Sequence, residues 1–205
     1  MAKNKTSKAW MHQHVNDPYV KLATKEGMRS RAAYKLIQIN LKDHLLKPGM
    51  VVVDLGATPG GWSQVAARTV GPTGRVIAID LLEMQGLGGV HFIQADFSKT
   101  EGLEAVEKAL AGSRVDLVLS DMAPNISGIA QVDQARLMGL VELAMDFAVQ
   151  HLKPQGNFLV KVFHGAGFDG YVKAMRQVFK KVDSRKPEAS RKGSKEVYLL
   201  AKGLK

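Results

Sequence analysis

Short runs of apolar, often β-branched residues recur along this chain, separated by stretches long enough for helices. Met50–Leu55, Arg75–Asp80, Val90–Gln94, Val115–Ser120 and Gly156–Val162 are such runs. Parallel strands read this way because helical crossovers bury both of their faces. Between them, Trp62–Thr69, Glu101–Leu110 and Val132–Leu152 suit helices, and a further helix fits Tyr171–Phe179. Two closing strands fit Lys180–Asp183 and Lys195–Ala201. The alternation predicts an α/β fold, with a mostly parallel seven-stranded sheet flanked by helices on both faces.

The segment before the first strand is different. Residues 1–16 are polar and basic, with Trp10, His12 and His14 but no hydrophobic period. A His-x-His pair with no third ligand in view does not make a metal site, and no metal is expected. Asp17-Pro18 has the form of an N-cap followed by proline at the first helical position, opening a short helix to about Lys25. Ser30 is placed to cap a longer helix over Arg31–Leu45, whose Ala33, Leu36, Ile37, Leu41 and Leu45 follow helical spacing. Lys47-Pro48-Gly49 ends it. The chain therefore divides into a basic preface, residues 1–28, and one domain, residues 29–205, with no internal repeat.

Charge is distributed unevenly. Residues 1–35 carry a net +6 and residues 173–205 a net +8, around a middle of −4. Basic ends on a mildly acidic centre point to a polyanion touched by both ends of the chain. Cysteine is absent, which excludes disulfides, thiolate metal sites and a cysteine nucleophile. No stretch approaches the ~18 apolar residues that cross a bilayer, and no apolar signal core follows Met1-Ala2-Lys3-Asn4-Lys5. A cytoplasmic monomer is the expectation.

Ligands of open α/β sheets bind at the carboxyl ends of the strands. The first strand here runs into Asp54-Leu55-Gly56-Ala57-Thr58-Pro59-Gly60-Gly61-Trp62. Gly56 allows a sharp turn, and Gly60 and Gly61 allow backbone to approach a ligand. The spacing is G-x-x-x-G-G rather than the dinucleotide G-x-G-x-x-G. Asp80 closes the second strand, where a carboxylate can accept from both hydroxyls of an adenosine ribose. Asp96 follows the third, within reach of an adenine amino group. Asp54, Asp80 and Asp96 at three successive strand ends favour S-adenosylmethionine, with a nicotinamide cofactor as the alternative. Trp62 is placed to line the same pocket.

The fourth strand ends Ser120-Asp121-Met122-Ala123-Pro124-Asn125. This lacks the (Asp/Asn/Ser)-Pro-Pro-aromatic motif usual in enzymes that methylate amines, and the absence of cysteine removes adduct-based methylation of pyrimidine carbon. Oxygen is left as the acceptor. An alcohol needs a base or an orienting group, and Lys161, in Phe158-Leu159-Val160-Lys161-Val162-Phe163, lies at the end of the fifth strand where a substrate must sit.

Together these residues resemble the FtsJ/RrmJ-type 2′-O-ribose methyltransferases of large-subunit ribosomal RNA. The resemblance covers nearly the whole chain. It includes Ser30-Arg31-Ala32-Ala33-Tyr34-Lys35-Leu36, the Asp54–Gln64 loop, Ser120–Asn125, Val160–Phe163 and Ser190–Tyr198. It implies a Rossmann-like class I S-adenosylmethionine-dependent fold and a Lys-Asp-Lys-Glu tetrad at Lys35, Asp121, Lys161 and Glu196. It further implies a uridine ribose of 23S ribosomal RNA as target and Lys161 as proton acceptor. A purely orienting role for that lysine stays open. Asp121 would also lie near the cofactor, and Lys35, if close to Lys161, would repel its charge. Arg29, Arg31, Lys186, Arg191 and Lys192 lie in the same basic segments as Lys35 and Glu196 and read as phosphate contacts. An RNA-binding assembly factor with a vestigial site is the reading from a different class.

Overall fold

A computed structural model describes residues 15–124, 127–191 and 193–205. Trp10, His12, His14, Asn125 and Lys192, singled out above, lie outside the described residues.

Seven strands form one sheet in the order β3-β2-β1-β4-β5-β7-β6. They are β1 (Val51–Leu55), β2 (Arg75–Asp80), β3 (Val90–Gln94), β4 (Val115–Ser120), β5 (Leu152–Phe163), β6 (Phe179–Arg185) and β7 (Glu196–Leu204). The first five run parallel, whereas β7 lies antiparallel between β5 and β6. Strand order reverses between β1 and β4, so a crevice opens at their carboxyl ends.

Among the described residues six helices accompany the sheet: α1 (Pro18–Glu26), α2 (Ala33–Asp43), α3 (Gly61–Val70), α4 (Thr100–Leu110), α5 (Ala130–His151) and α6 (Phe168–Val178). The two-residue period of the strands sorts their side chains into two cores. Val53, Leu55, Ile77, Ile79, Val118, Phe158 and Val160 face the side covered by α4, α5 and α6. Val52, Val76, Leu117, Leu119, Leu159, Tyr198 and Leu200 face α2 and α3. A satellite cluster of Ala23, Tyr34 and Ala189 fastens α1 to the second side.

Local chemistry explains most element ends. Asp17 caps α1, its Oδ1 accepting from the Tyr19 N–H at 3.0 Å, and Gly27 closes the helix in the left-handed region at φ 64°. The expected Ser30 cap does not form. Ser30 Oγ is buried without a partner among the described residues, and α2 starts three residues later, after a turn. At its other end α2 stops at Asp43, because the Asn40 side chain accepts from the Leu46 N–H at 2.8 Å. That bond draws the chain out of the helix and buries Leu45 and Leu46. The strand expected from Gly156 begins at Leu152 instead, since Pro154 cannot continue α5 and the chain extends at once.

Candidate active site

The carboxyl ends of β1, β2, β3 and β4 surround a cavity of about 700 Å³. Gly56, Thr58, Asp80, Asp96 and Asp121 line it, with apolar walls from Leu81 and Leu82 on one side and Leu140 and Leu143 of α5 on the other. Gly56, at φ 77°, is required sterically: a Cβ there would lie 2.7 Å from Met122 Cγ.

The cavity acids are held by backbone. Asp80 accepts from the Thr58 N–H at 2.9 Å through Oδ2 and from the Leu82 N–H at 2.8 Å through Oδ1. Each oxygen keeps a second lone pair for a ligand hydroxyl. Asp96 Oδ1 accepts both the N–H and the hydroxyl of Ser98, and these bonds hold its carboxyl below the usual carboxylate range. It therefore remains an anionic acceptor at the cavity wall.

The other loop residues take different places. Asp54 is fully buried beneath the loop, with Oδ2 accepting from the Ser63 hydroxyl at 2.6 Å and Oδ1 lacking a partner among the described residues. Burial pushes its carboxyl up to about 7 against the Ser63 bond, with Asp121 and Asp80 adding repulsion. It is a foundation of the cavity, not part of its wall. The Trp62 indole also points elsewhere: it donates to the Ala32 carbonyl at 2.8 Å and packs 5.5 Å from the Tyr198 ring. What Trp62 can offer a ligand is its backbone N–H, which has no intrahelical partner in the first turn of α3. Gly61 makes room for Ser30, and Gly60 for Met84 and Arg29, so their lack of a Cβ serves packing between segments.

Beside the cavity lie two lysine–carboxylate pairs. Lys161 sits near the end of β5 at 8% exposure, its Nζ 3.1 Å from Asp121 Oδ1 and donating to the Asp121 carbonyl at 2.7 Å. Lys35 of α2 meets Glu196 of β7 at 2.6 Å. The β5–β7 register sets Lys161 opposite Tyr198 and Phe163 opposite Glu196, so Lys161, Glu196 and Tyr198 share the face on which α2 packs. Lys35 thus has its charge met by Glu196 and does not confront Lys161 unpaired. Burial raises the Glu196 carboxyl, yet the Lys35 bond and charge, Ser190 and the Lys161 charge together hold it below the usual range.

Tyr198 is the contributor that residue-type reasoning passed over. Its hydroxyl donates to Asp121 Oδ1 at 3.1 Å while its ring lies 5.6 Å from Lys35 Nζ. A tyrosine inside a strand looks like core; only the β5–β7 register shows that it faces Lys161. Asp121 is consequently shared, lining the cavity and anchoring both Lys161 and Tyr198.

The described residues among those read as phosphate contacts have internal partners. Arg29 donates to the carbonyls of Gln85 and Gly86 at 2.6 and 2.5 Å. Arg31 pairs with Asp17 at 2.9 Å and donates to the Ala189 carbonyl at 2.6 Å. Lys186 donates to the carbonyls of Ser194 and Glu196, tying the β6–β7 loop closed. Arg191 lies 3.7 Å from Asp17. Clustered positive charge here fastens loops to one another, so Arg29, Arg31 and Lys186 have bonds within the protein that the phosphate-contact reading did not foresee. Among the described residues no group of three or more His, Asp or Glu is arranged for a metal ion, and no helix is long and apolar enough to cross a membrane.

Relatives match this chain from end to end. The chain is 60% identical over 205 residues to ribosomal RNA large subunit methyltransferase E of Azoarcus sp. (strain BH72), covering 100% of both chains. It is 58% identical over 200 residues to the protein of the same name from Neisseria meningitidis serogroup B, covering 98% of this chain and 97% of that one. A crystal structure named for a ribosomal RNA methyltransferase of Plasmodium falciparum superposes with a TM-score of 0.77 at 29% identity, covering 86% of this chain and 98% of that one. The profile of FtsJ-like methyltransferases matches residues 28–204, a span that holds the cavity and both lysine–carboxylate pairs, and the chain belongs to that family.

Proposed function

We propose that this protein transfers the methyl group of S-adenosylmethionine to the 2′-oxygen of a uridine ribose in 23S ribosomal RNA, working as a cytoplasmic monomer on the large ribosomal subunit. One observation carries the reading: Asp121 lines a cavity together with Asp80 and Asp96 and also holds a buried lysine at the edge of that cavity. The ribosomal target follows from the names of the full-length relatives.

The cavity suits the cofactor. Asp80 would accept from the ribose hydroxyls, Asp96 from the adenine amino group, and the leucines on either side would sandwich the base. Asp121 offers a carboxylate to a cationic tail. When bound, S-adenosylmethionine would supply a methyl group on a sulfonium, whose carbon–sulfur bond breaks as an oxygen nucleophile takes the methyl and leaves a neutral thioether.

Lys161 would meet the attacking hydroxyl. As oxygen bonds to the methyl carbon, the hydroxyl must lose its proton, and Lys161 Nζ is the group to take it once its own proton has gone. Asp121 and Tyr198 fix where that nitrogen stands. Lys35 and Glu196, paired beside it, would hold the ribose. In this reading residues 29–205 form the catalytic domain and residues 1–28 a basic preface. Arg191, whose side chain is 28% exposed and lies 3.7 Å from Asp17, would lend its guanidinium to a phosphate, with Lys192 next to it in sequence. Such contacts position RNA without reading its sequence, so ribosomal shape would select the nucleotide.

Mass spectrometry of ribosomal RNA from cells with and without the protein tests the reading. One 2′-O-methyluridine in 23S RNA should disappear without it and return with the purified protein and S-adenosylmethionine. Loss of a base methylation instead, or no change, would overturn the assignment.

A further inference from the structure

Arg29 belongs to the basic stretch that leads into α2, yet its side chain faces away from the lysine–carboxylate pairs. The guanidinium bridges two loops. Nη1 donates to the Gln85 carbonyl at 2.6 Å and to the Pro59 carbonyl at 3.4 Å, while Nη2 donates to the Gly86 carbonyl at 2.5 Å. Pro59 belongs to the turn after β1, and Gln85 and Gly86 to the loop between β2 and β3. These loops supply Thr58, Leu81 and Leu82 to the cavity wall.

On the cavity side the loops are already joined, because the Thr58 hydroxyl donates to the Leu82 carbonyl at 3.0 Å. Further out the β2–β3 loop has little to order it. It runs Gln85-Gly86-Leu87-Gly88-Gly89, and a Cβ at Gly86 or Gly88 would meet nothing within 4 Å. Neither glycine is demanded by packing, and such a segment loses much backbone entropy on ordering. Arg29 supplies an anchor from outside. Its own backbone is fixed to α3, since its N–H donates to the Gln64 side chain at 2.9 Å and that side chain donates to the Gly27 carbonyl at 2.8 Å. Gly60 lets the arrangement close, for a Cβ there would stand 3.0 Å from Arg29 Cδ and 2.8 Å from Met84 Sδ.

We propose that Arg29 is a positioning residue for the cofactor, a clamp that holds the β2–β3 loop against the β1–α3 turn and so sets the width of the cavity at Leu81 and Leu82. A planar fork of donors reaches three carbonyls in two segments, which a lysine ammonium cannot reproduce. The proposal rests on the cavity being the S-adenosylmethionine site.

The test uses Arg29→Ala and Arg29→Lys in the full chain. Calorimetric titration with S-adenosylmethionine should show the dissociation constant raised about tenfold or more in both, because the binding-competent loop is populated only part of the time. At saturating cofactor the methylation rate should stay near wild type, so KM for the cofactor rises while kcat holds. Hydrogen exchange at residues 81–89 should quicken, with the strands unchanged. The salt dependence of RNA binding should keep its slope. Wild-type cofactor affinity together with a shallower salt slope would overturn the proposal and return Arg29 to the phosphate backbone. Unchanged exchange in the loop would overturn it as well. If the wild-type protein itself failed to bind S-adenosylmethionine, the cofactor assignment would fall, while the exchange measurement would still decide whether the clamp exists.

Discussion

A single lysine carries the chemistry proposed here, and its surroundings specify how its removal should read out. Lys161→Ala takes away the group that would meet the hydroxyl and removes no residue that lines the cavity. Cofactor affinity should therefore stay near wild type while single-turnover methyl transfer falls by about 10²–10⁴-fold or more, the range of general-base catalysis with lost orientation added. Lys161→Arg should restore little, since a guanidinium stays protonated. A near-native rate in the arginine variant would show that the lysine orients the hydroxyl and takes no proton. Asp54 tests the foundation of the same site. Its folded carboxyl stands at about 7, raised mainly by burial. A raised acid binds its proton more tightly in the folded state, so stability is fully present below the unfolded value of about 3.9 and falls as pH rises through about 7. Asp54→Asn should flatten that decline in thermal melts between pH 4 and 7; a variant with the wild-type slope would show that Asp54 ionises freely.

Among the elements, α2 is held at both ends by charge. Its start gives Lys35 to Glu196, and its last residue, Asp43, is gripped by Arg185 of β6 through two bonds of 2.6 and 2.7 Å and by Lys202 of β7 at 3.0 Å. Chiefly the Arg185 bond lowers the Asp43 carboxyl to about 2. A depressed acid contributes stability above its unfolded value, and that stability is lost as pH falls from about 4 through about 2. Asp43→Asn should cost on the order of 2 kcal/mol at neutral pH and nothing below pH 2, read from denaturant unfolding at the two pH values. An equal loss at both would mean that shape, not charge, matters there. The strands of this fold were legible in the sequence because parallel strands are apolar on both faces, and β2, β3 and β4 fall on the expected residues. The start of α2 was not, since whether Ser30 caps a helix depends on Gly61 packing against it from another element. The positions of Asp80, Asp96 and Asp121 at the cavity were legible, because strand ends in such sheets converge. The roles of Asp54 and Trp62 were not, since strand ends and helix starts do not reveal which way a side chain turns.

At the scale of the molecule, the amount of charge was legible and its partners within the protein were not. A run of arginines and lysines shows that positive potential exists, but the partners of Arg29, Arg31 and Lys186 lie far away in sequence or are backbone carbonyls, which composition does not show. The insertion of β7 between β5 and β6 has a bearing on how the protein comes into being. The ribosome releases β5 and then β6 before β7, and these two cannot be neighbours in the finished sheet. Among the described residues β6 pairs with no strand but β7, so it joins the sheet only through β7. That strand begins with Glu196, the partner of Lys35, and carries Tyr198, the partner of Asp121. Synthesis that stalls before β7 therefore yields a product with β5 as a bare sheet edge, a lysine without its counter-charge and no assembled centre. Such a fragment would offer that unpaired edge to other chains. Closure of the sheet and assembly of the centre thus arrive together, with β7.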